Sequence, residues 1–166
     1  MSNDAIPAST ELLRYHDQRL ALPDRGTTAP AQFTSGVWAA IETNHRHNCL
    51  LWAEEDLARR RRASDAEIAA NKRNIDQFNQ RRNDAVEAID EHLLGTIGVR
   101  MNDHAPLHSE SAGAMIDRLS ILSLKIAAMT HEANRADAEA AHRAACSAKL
   151  DRLVLQRTDL ADCLDR

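Results

Sequence analysis

Between residues 36 and 59 the positions Trp38, Ile41, His45, Asn48, Trp52, Glu55 and Arg59 recur at spacings of three and four. They therefore share one face of a helix, a face that starts apolar and ends ionic. A second run, Ile75, Phe78, Arg82, Val86, Ile89 and Leu93, has the same period, with Asn83, Glu87 and Asp90 beside it and Arg81 near the seam. A third, Met115, Arg118, Leu122, Lys125 and Met129, puts two cations in line with residues expected to face inward.

Every glycine and proline falls in one of two zones, 7–36 and 95–113, which is the punctuation of long helices separated by loops. A straight helix through 37–94 would run on the order of 85 Å, too long for so small a domain, so the chain must turn. The corner is placed at Arg62-Ala63-Ser64-Asp65. There Ser64 and Glu67 have the spacing of a capping box, Asp65 suits the helix N-terminus, and the run Arg59 to Arg62 suits the preceding C-terminus. A second break is placed at Asn134 to Asp137, where Asn and Asp serve as caps. The expectation is an all-α chain: an antiparallel bundle of about four long helices, near 35–62, 65–94, 113–134 and 138–165, plus a short N-terminal helix near 10–20. Residues 1–33 form the arm that carries the short helix, and 34–166 the bundle domain.

Composition supports this reading, since the 166 residues are rich in alanine and only 3% aromatic. The formal net charge of −4 supplies no general field for a polyanion, so nucleic acid is not an expected partner. Cys49, Cys146 and Cys163 are odd in number and lack a CxxC pair, which fits a reducing cytoplasm better than a disulfide framework. The first ten residues do not read as a secretion signal, and no stretch approaches the ~18 apolar residues of a membrane span, so no membrane insertion is expected.

Facing helices of a bundle bring such stripes together, so Glu55, Arg59, Arg81, Glu87, Arg118 and Lys125 are candidates for a partly buried pocket whose mixed charge suits an anionic or zwitterionic ligand. The alternative is that they form ion pairs between helices or reach to solvent. Lys125, flanked by Leu122 and Met129 on one line, is expected to point inward and pair with Glu55, or failing that Glu87. Glu42 with His45 and Glu139 with His142 make ExxH pairs of the kind found in helical di-iron proteins, but two such pairs are weak support and the first helix looks too short to add the required Glu; no metal and no cofactor is assigned. Ser109, Ser120 and the cysteines are nucleophiles by type only, with no GxSxG or Cys/His signature around them.

Three segments carry a family resemblance: Asn48-Cys49-Leu50-Leu51-Trp52-Ala53-Glu54-Glu55-Asp56-Leu57-Ala58-Arg59, Asn79-Gln80-Arg81-Arg82-Asn83-Asp84, and Ile116-Asp117-Arg118-Leu119-Ser120-Ile121-Leu122-Ser123-Leu124-Lys125-Ile126. They resemble a bacterial domain-of-unknown-function family, the forty-two fifty-four family, and the likeness runs from about residue 33 to the C-terminus. Ser109-Glu110-Ser111-Ala112-Gly113 resembles the family's Ser-Glu-Thr-Pro-Gly, departing at the third and fourth positions. The resemblance implies a cytoplasmic protein often encoded beside glycosyltransferase and lipopolysaccharide genes. It also matches the family's polar motif positions to Glu54, Glu55, Asp56, Arg59, Arg81, Asn83, Ser109, Glu110, Asp117, Arg118 and Lys125.

Three functions follow as expectations. The first is an accessory module of cell-envelope glycan assembly that binds a glycosyltransferase or a phosphorylated sugar intermediate. The second is a small enzyme in which Glu55 or Glu110 is the general acid or base while Arg118 and Lys125 hold an anionic substrate. The third is a structural helical interaction protein, for instance a homodimer whose polar seam fixes register.

Overall fold

A computed structural model describes residues 7–60, 63–97 and 108–166. The chain forms α1 (Ser9–Leu20), a 3-10 turn (Pro23–Gly26), α2 (Gly36–Ala58), α3 (Asp65–Ile97), α4 (Ala112–Ala133) and α5 (Ala140–Leu164), with no strand among the described residues. The predicted four long helices and short first helix are all present. Arg61 and Arg62, at the predicted end of the second helix and the start of the corner, and residues 98–107, within the second glycine and proline zone, lie outside the described residues.

The ends of the helices follow from local chemistry. At the start of α3 the Ser64 backbone N–H and hydroxyl both donate to Glu67 Oε2 at 2.8 Å, and the Glu67 N–H returns a bond to Ser64 Oγ at 3.3 Å. This is the predicted capping box. Ser111 caps α4 by accepting from the Ala114 N–H at 3.2 Å. Between α4 and α5, Arg135 bridges Glu132 and Asp137, each at 3.0 Å, which holds the predicted break closed.

α2 packs along α3 and α4 along α5, and the two hairpins meet where α4 crosses α3 and α2. The crossing is tight at Gly113: a Cβ there would lie 2.5 Å from the Val86 carbonyl oxygen, and the Gly113 N–H donates to Asp90 Oδ1 at 2.7 Å. The core at this end gathers Leu12 and Tyr15 of α1, Val37, Ala40 and Ile41 of α2, Ile89 and Leu93 of α3 and Ile116 of α4. Each large aliphatic side chain buried there contributes roughly 2 kcal/mol. Phe33 and Trp38 stack over it at 5.3 Å.

The arm enters α2 through a left-handed turn, with Asp24 at φ 49°, Arg25 at φ 53° and Gly26 at φ 71°. Only the glycine is at ease there; each of the other two adds about 1 kcal/mol of strain.

The inward face of α4 differs from the predicted one. Ile116, Leu119, Ser120, Ser123 and Leu124 are buried together with Met115 and Leu122, whereas Arg118 and Lys125 are exposed. The covered face is turned by about one residue, so that small serines meet the core, Met115 and Leu122 stay at its edge, and the two cations come out into solvent. α5 is the most thinly covered helix, burying only Cys146 and Ala161 and exposing Val154 and Leu155. No helix among the described residues is long and apolar enough to cross a membrane.

Candidate functional site

Polar side chains collect in two places. The first is a buried seam between α1, α2 and α4. Glu42, 3% exposed, accepts the Gln32 and Phe33 backbone N–H groups on Oε2 at 2.8 and 2.9 Å. Its other oxygen has no hydrogen bond and faces the guanidiniums of Arg19 and Arg46 at 3.6 and 3.7 Å. Arg46 also donates to the carbonyls of Thr27 and Ala29, so one carboxylate and two arginines fasten the loop before α2 onto the helix.

Deeper in the seam, Asp117 Oδ1 accepts from the amides of Asn44 and Asn48, each at 2.8 Å. Asn48 also donates to Ser120 Oγ at 3.1 Å, and Ser120 Oγ lies 2.8 Å from His45 Nδ1. We assign the Ser120 proton to that contact and the ring proton to Nε2, which faces the Cys49 sulfur at 3.7 Å. His16 of α1 stacks on His45 with ring centroids 4.5 Å apart, and neither of its nitrogens has a hydrogen-bond partner. Burial, then His45 and Arg157, holds His16 well below the ordinary histidine pKa; burial and then Arg19 bring His45 down to about 4. Burial likewise pushes the Cys49 thiol up to about 12 and raises the Tyr15 phenol, whose hydroxyl is also unpartnered.

This seam is not a reaction centre. Ser120 and His45 have the spacing of a nucleophile and its base, but they are 0% and 1% exposed, so no substrate reaches them. Glu42 is committed to backbone and arginine, and His142 of the second ExxH pair binds Glu132 at 3.2 Å, not Glu139. Among the described residues no three His, Cys, Asp or Glu side chains converge as metal ligands.

The second place is an open groove one turn further along α2. A cleft of about 250 Å³ between α2, α3 and α4 has Leu51, Trp52, Ile121 and Leu124 as its apolar walls and Asn48, Glu55, Asp56, Arg59, Asn79 and Arg82 as its polar ones. Beyond Ile121, a depression of about 510 Å³ separates α4 from α5, with Arg118, Lys125, Gln156 and Asp159 on its rim. Beside both, a third depression of about 420 Å³ is lined by Trp52, Met129 and Leu153 together with Lys125, Lys149, Arg152 and Gln156. Trp52 joins the first to the third, and Lys125 the second to the third. Arg25 of the arm lies over the Trp52 ring at 5.5 Å.

The predicted site residues divide accordingly. Glu55, Asp56 and Arg59 line the cleft, where Arg59 bridges the other two at 3.6 and 3.5 Å, and Arg118 and Lys125 line the second depression. Glu54 turns away to accept from Asn71 and Asn74, at 2.6 and 3.1 Å. Asp117 belongs to the buried seam. Glu110 holds Arg118 through two contacts at 2.8 and 2.6 Å. Arg81, Asn83, Glu87 and Ser109 are exposed, and none of them lines the cleft or either neighbouring depression. The expected inward pairing of Lys125 with Glu55 or Glu87 is corrected: Lys125 is exposed, and no carboxylate of the described residues lies within ion-pair distance of it. Its stem covers apolar groove wall while the ammonium stays in water, which avoids desolvation altogether.

Sequence reasoning missed Lys149, Arg152 and Gln156, although their spacing of three and four was a readable signal of a shared face on α5. It also missed His16 and Arg157, for which pattern offers no signal. Against known proteins, the model of a family described as "Protein of unknown function (DUF4254)" matches residues 38–166. No curated protein and no solved structure matches the chain.

Proposed function

We propose, from the premise that this chain belongs to the DUF4254 family, that it is a cytoplasmic binding module of cell-envelope glycan assembly whose groove holds an anionic ligand of the phosphorylated-sugar class. One observation carries the anion: Lys125, Lys149 and Arg152 line a single depression that contains no carboxylate, in a chain whose net charge is −4. Three cations gathered without counter-ions lower the free energy of a bound phosphate, and the Trp52 and Met129 surface beside them favours an apolar or ring-shaped group over a bare ion. The glycan setting rests on the family resemblance alone.

The enzyme reading draws less support. Glu55 is half-exposed and tied to Arg59, and Glu110 is occupied by Arg118 and itself lines neither the cleft nor either depression, so the two candidate acid-base residues do not face one reacting position. The exposed pair Val154 and Leu155 on α5 favours a further contact with a protein partner, a glycosyltransferase or a second copy, outside the groove. Titration calorimetry with hexose 1-phosphates, uridine diphosphate sugars and the matching neutral sugars tests the main reading. Binding of the phosphorylated compounds alone, lost in Lys149→Gln/Arg152→Gln, is the expected result. Equal binding of neutral sugars, or no loss in the double variant, removes it.

A further inference from the structure

The buried seam and the groove are both touched by one element, the N-terminal arm of residues 7–35. Its fit on the bundle is uneven. Leu12 and Tyr15 join the apolar core, Ser9 bonds Asp165 at 2.9 and 2.7 Å, and Asp17 pairs with Arg157 at 2.7 Å. Yet His16, fully buried at the same interface, leaves both ring nitrogens unpartnered, and the Tyr15 hydroxyl is unpartnered beside it. The turn that follows is left-handed at three consecutive residues, two of which are not glycine. The surface beneath the arm lies within the family match, which spans residues 38–166, whereas Tyr15, His16, Arg19 and Arg25 lie outside it.

We propose that the arm is a proton-operated latch on the groove, seated only while the stacked His16 and His45 are both uncharged, and that its release lifts Arg25 from Trp52 and bares the ring at the centre of the groove. The geometry leaves a proton on either ring nowhere favourable to go. From α1, Arg19 acts on His45 and the Tyr15 phenol lies against both rings; from α2, Cys49 touches His45 while Glu42 and Arg46 surround Tyr15; from α5, Arg157 acts on His16. α4 presents the Ser120 hydroxyl, with Asp117 reached only through Asn44 and Asn48. The carboxylates at the arm interface are all engaged: Glu42 serves two arginines and two backbone N–H groups, Asp17 is paired with Arg157, and Asp165 accepts from Ser9. A charged imidazole would therefore meet the other imidazole 4.5 Å away and a neighbouring guanidinium, Arg157 for His16 and Arg19 for His45, at positions closed to solvent. Lifting α1 rehydrates both rings. Burial and neighbouring cations depress both histidine pKa values in the seated state, so the released state binds more protons and gains population as pH falls below about 6.5.

The consequence for Trp52 rests on the reading of the groove as a binding site; the latch itself does not, and it is measured without any ligand. Hydrogen exchange by mass spectrometry on the full chain at pH 7 and pH 5, corrected for intrinsic rates, reads the opening of α1 separately from that of α2 and α4. We expect α1 to open more readily than those helices at pH 7. At pH 5 its opening constant should rise by about 20-fold from His45 alone, given ~6.5 for a free histidine, while α2 and α4 change far less. His16→Phe, which removes both unpartnered nitrogens, should reduce the pH dependence to the share of about 20-fold left to His45. In a Trp38→Phe background, where Trp52 is the sole tryptophan, acrylamide quenching should rise over the same pH range. Equal protection of α1, α2 and α4, a pH-independent α1, or an unchanged slope in His16→Phe each overturns the latch. Opening of α1 with unchanged Trp52 quenching overturns its link to the groove. Absence of any sugar phosphate binding alongside a positive exchange result would remove the groove's function and leave the latch standing.

Discussion

Asn48 and Trp52 are one turn apart on α2, yet they belong to opposite electrostatic settings. Asn48 is 4% exposed and its amide is shared among Asp117, Ser120 and Asn44. Trp52 is half-buried and opens onto a groove in which Lys125, Lys149 and Arg152 have water for company. In the seam Asn44, His45, Asn48, Asp117 and Ser120 are spent on one another, because an unpaired polar group away from water costs about 1–3 kcal/mol, and the exceptions gather at the arm, on His16, the Tyr15 hydroxyl and one Glu42 oxygen. In the groove no such constraint acts, and charges stay available for a ligand. The difference teaches that chemical richness and functional readiness part company here: the His45, Ser120, Asn48 and Asp117 cluster has more of the look of a catalytic site, and the plainer groove has the access.

If that contrast is right, the largest effect on stability belongs to the seam. Glu42→Ala should remove about 3–5 kcal/mol, seen as a lowered urea midpoint, because it strands Arg19 and two backbone N–H groups. Glu55→Ala, on the groove, should stay within about 0.5 kcal/mol. A similar loss in both would erase the distinction.

The second effect is on pH. His45, with a folded pKa of about 4, and His16, depressed further by complete burial, are both bound to fewer protons in the folded than in the unfolded chain. Their stabilising contribution is complete above about 6.5 and is lost as pH falls toward 4, amounting to roughly 3 kcal/mol for His45. Urea midpoints at pH 7, 5.5 and 4.5 should fall in that order. A flat series would mean that the stacked pair is not held neutral.

Ser64→Ala sharpens the comparison by separating exposure from importance. Ser64 is exposed, yet it satisfies the first turn of α3, so its loss should cost ~1 kcal/mol. The smallest stability effect is expected for Lys125→Gln, within about 0.5 kcal/mol by the same measurement, since its ammonium has neither a buried environment nor an ion-pair partner to lose. Affinity for sugar phosphates should drop nonetheless. A marked destabilisation would return Lys125 to the core.

Much of this molecule is fixed by local chemistry that a linear chain displays. Glycine and proline zoning located the helices because those residues act on their own backbone, and the predicted spans 65–94 and 113–134 became Asp65–Ile97 and Ala112–Ala133. The capping box at Ser64 and Glu67 was readable for the same reason. Period analysis put the buried Ile41, His45 and Asn48 on one face of α2, but Glu55 and Arg59, expected in a partly buried pocket on that face, line an open cleft and are exposed. It failed on α4 at Arg118 and Lys125, which share a period with the buried Met115 and Leu122 yet are exposed, while the equally periodic Ile116, Ser120 and Ser123 are buried. Only the neighbouring helices decide which is covered.

The sequence by itself thus determined the number of long helices, most of their ends and the ionic last turns of α2, since each depends on residues within about four positions of one another. It carried α2 to 62, though the helix stops at Ala58. The tertiary structure alone decided that Lys125 faces water beside Lys149 and Arg152, that Asp117 is spent on Asn44 and Asn48, and that His16 lies against His45. Those pairings join residues dozens of positions apart, and their energies come from desolvation, which exists only once the helices have packed.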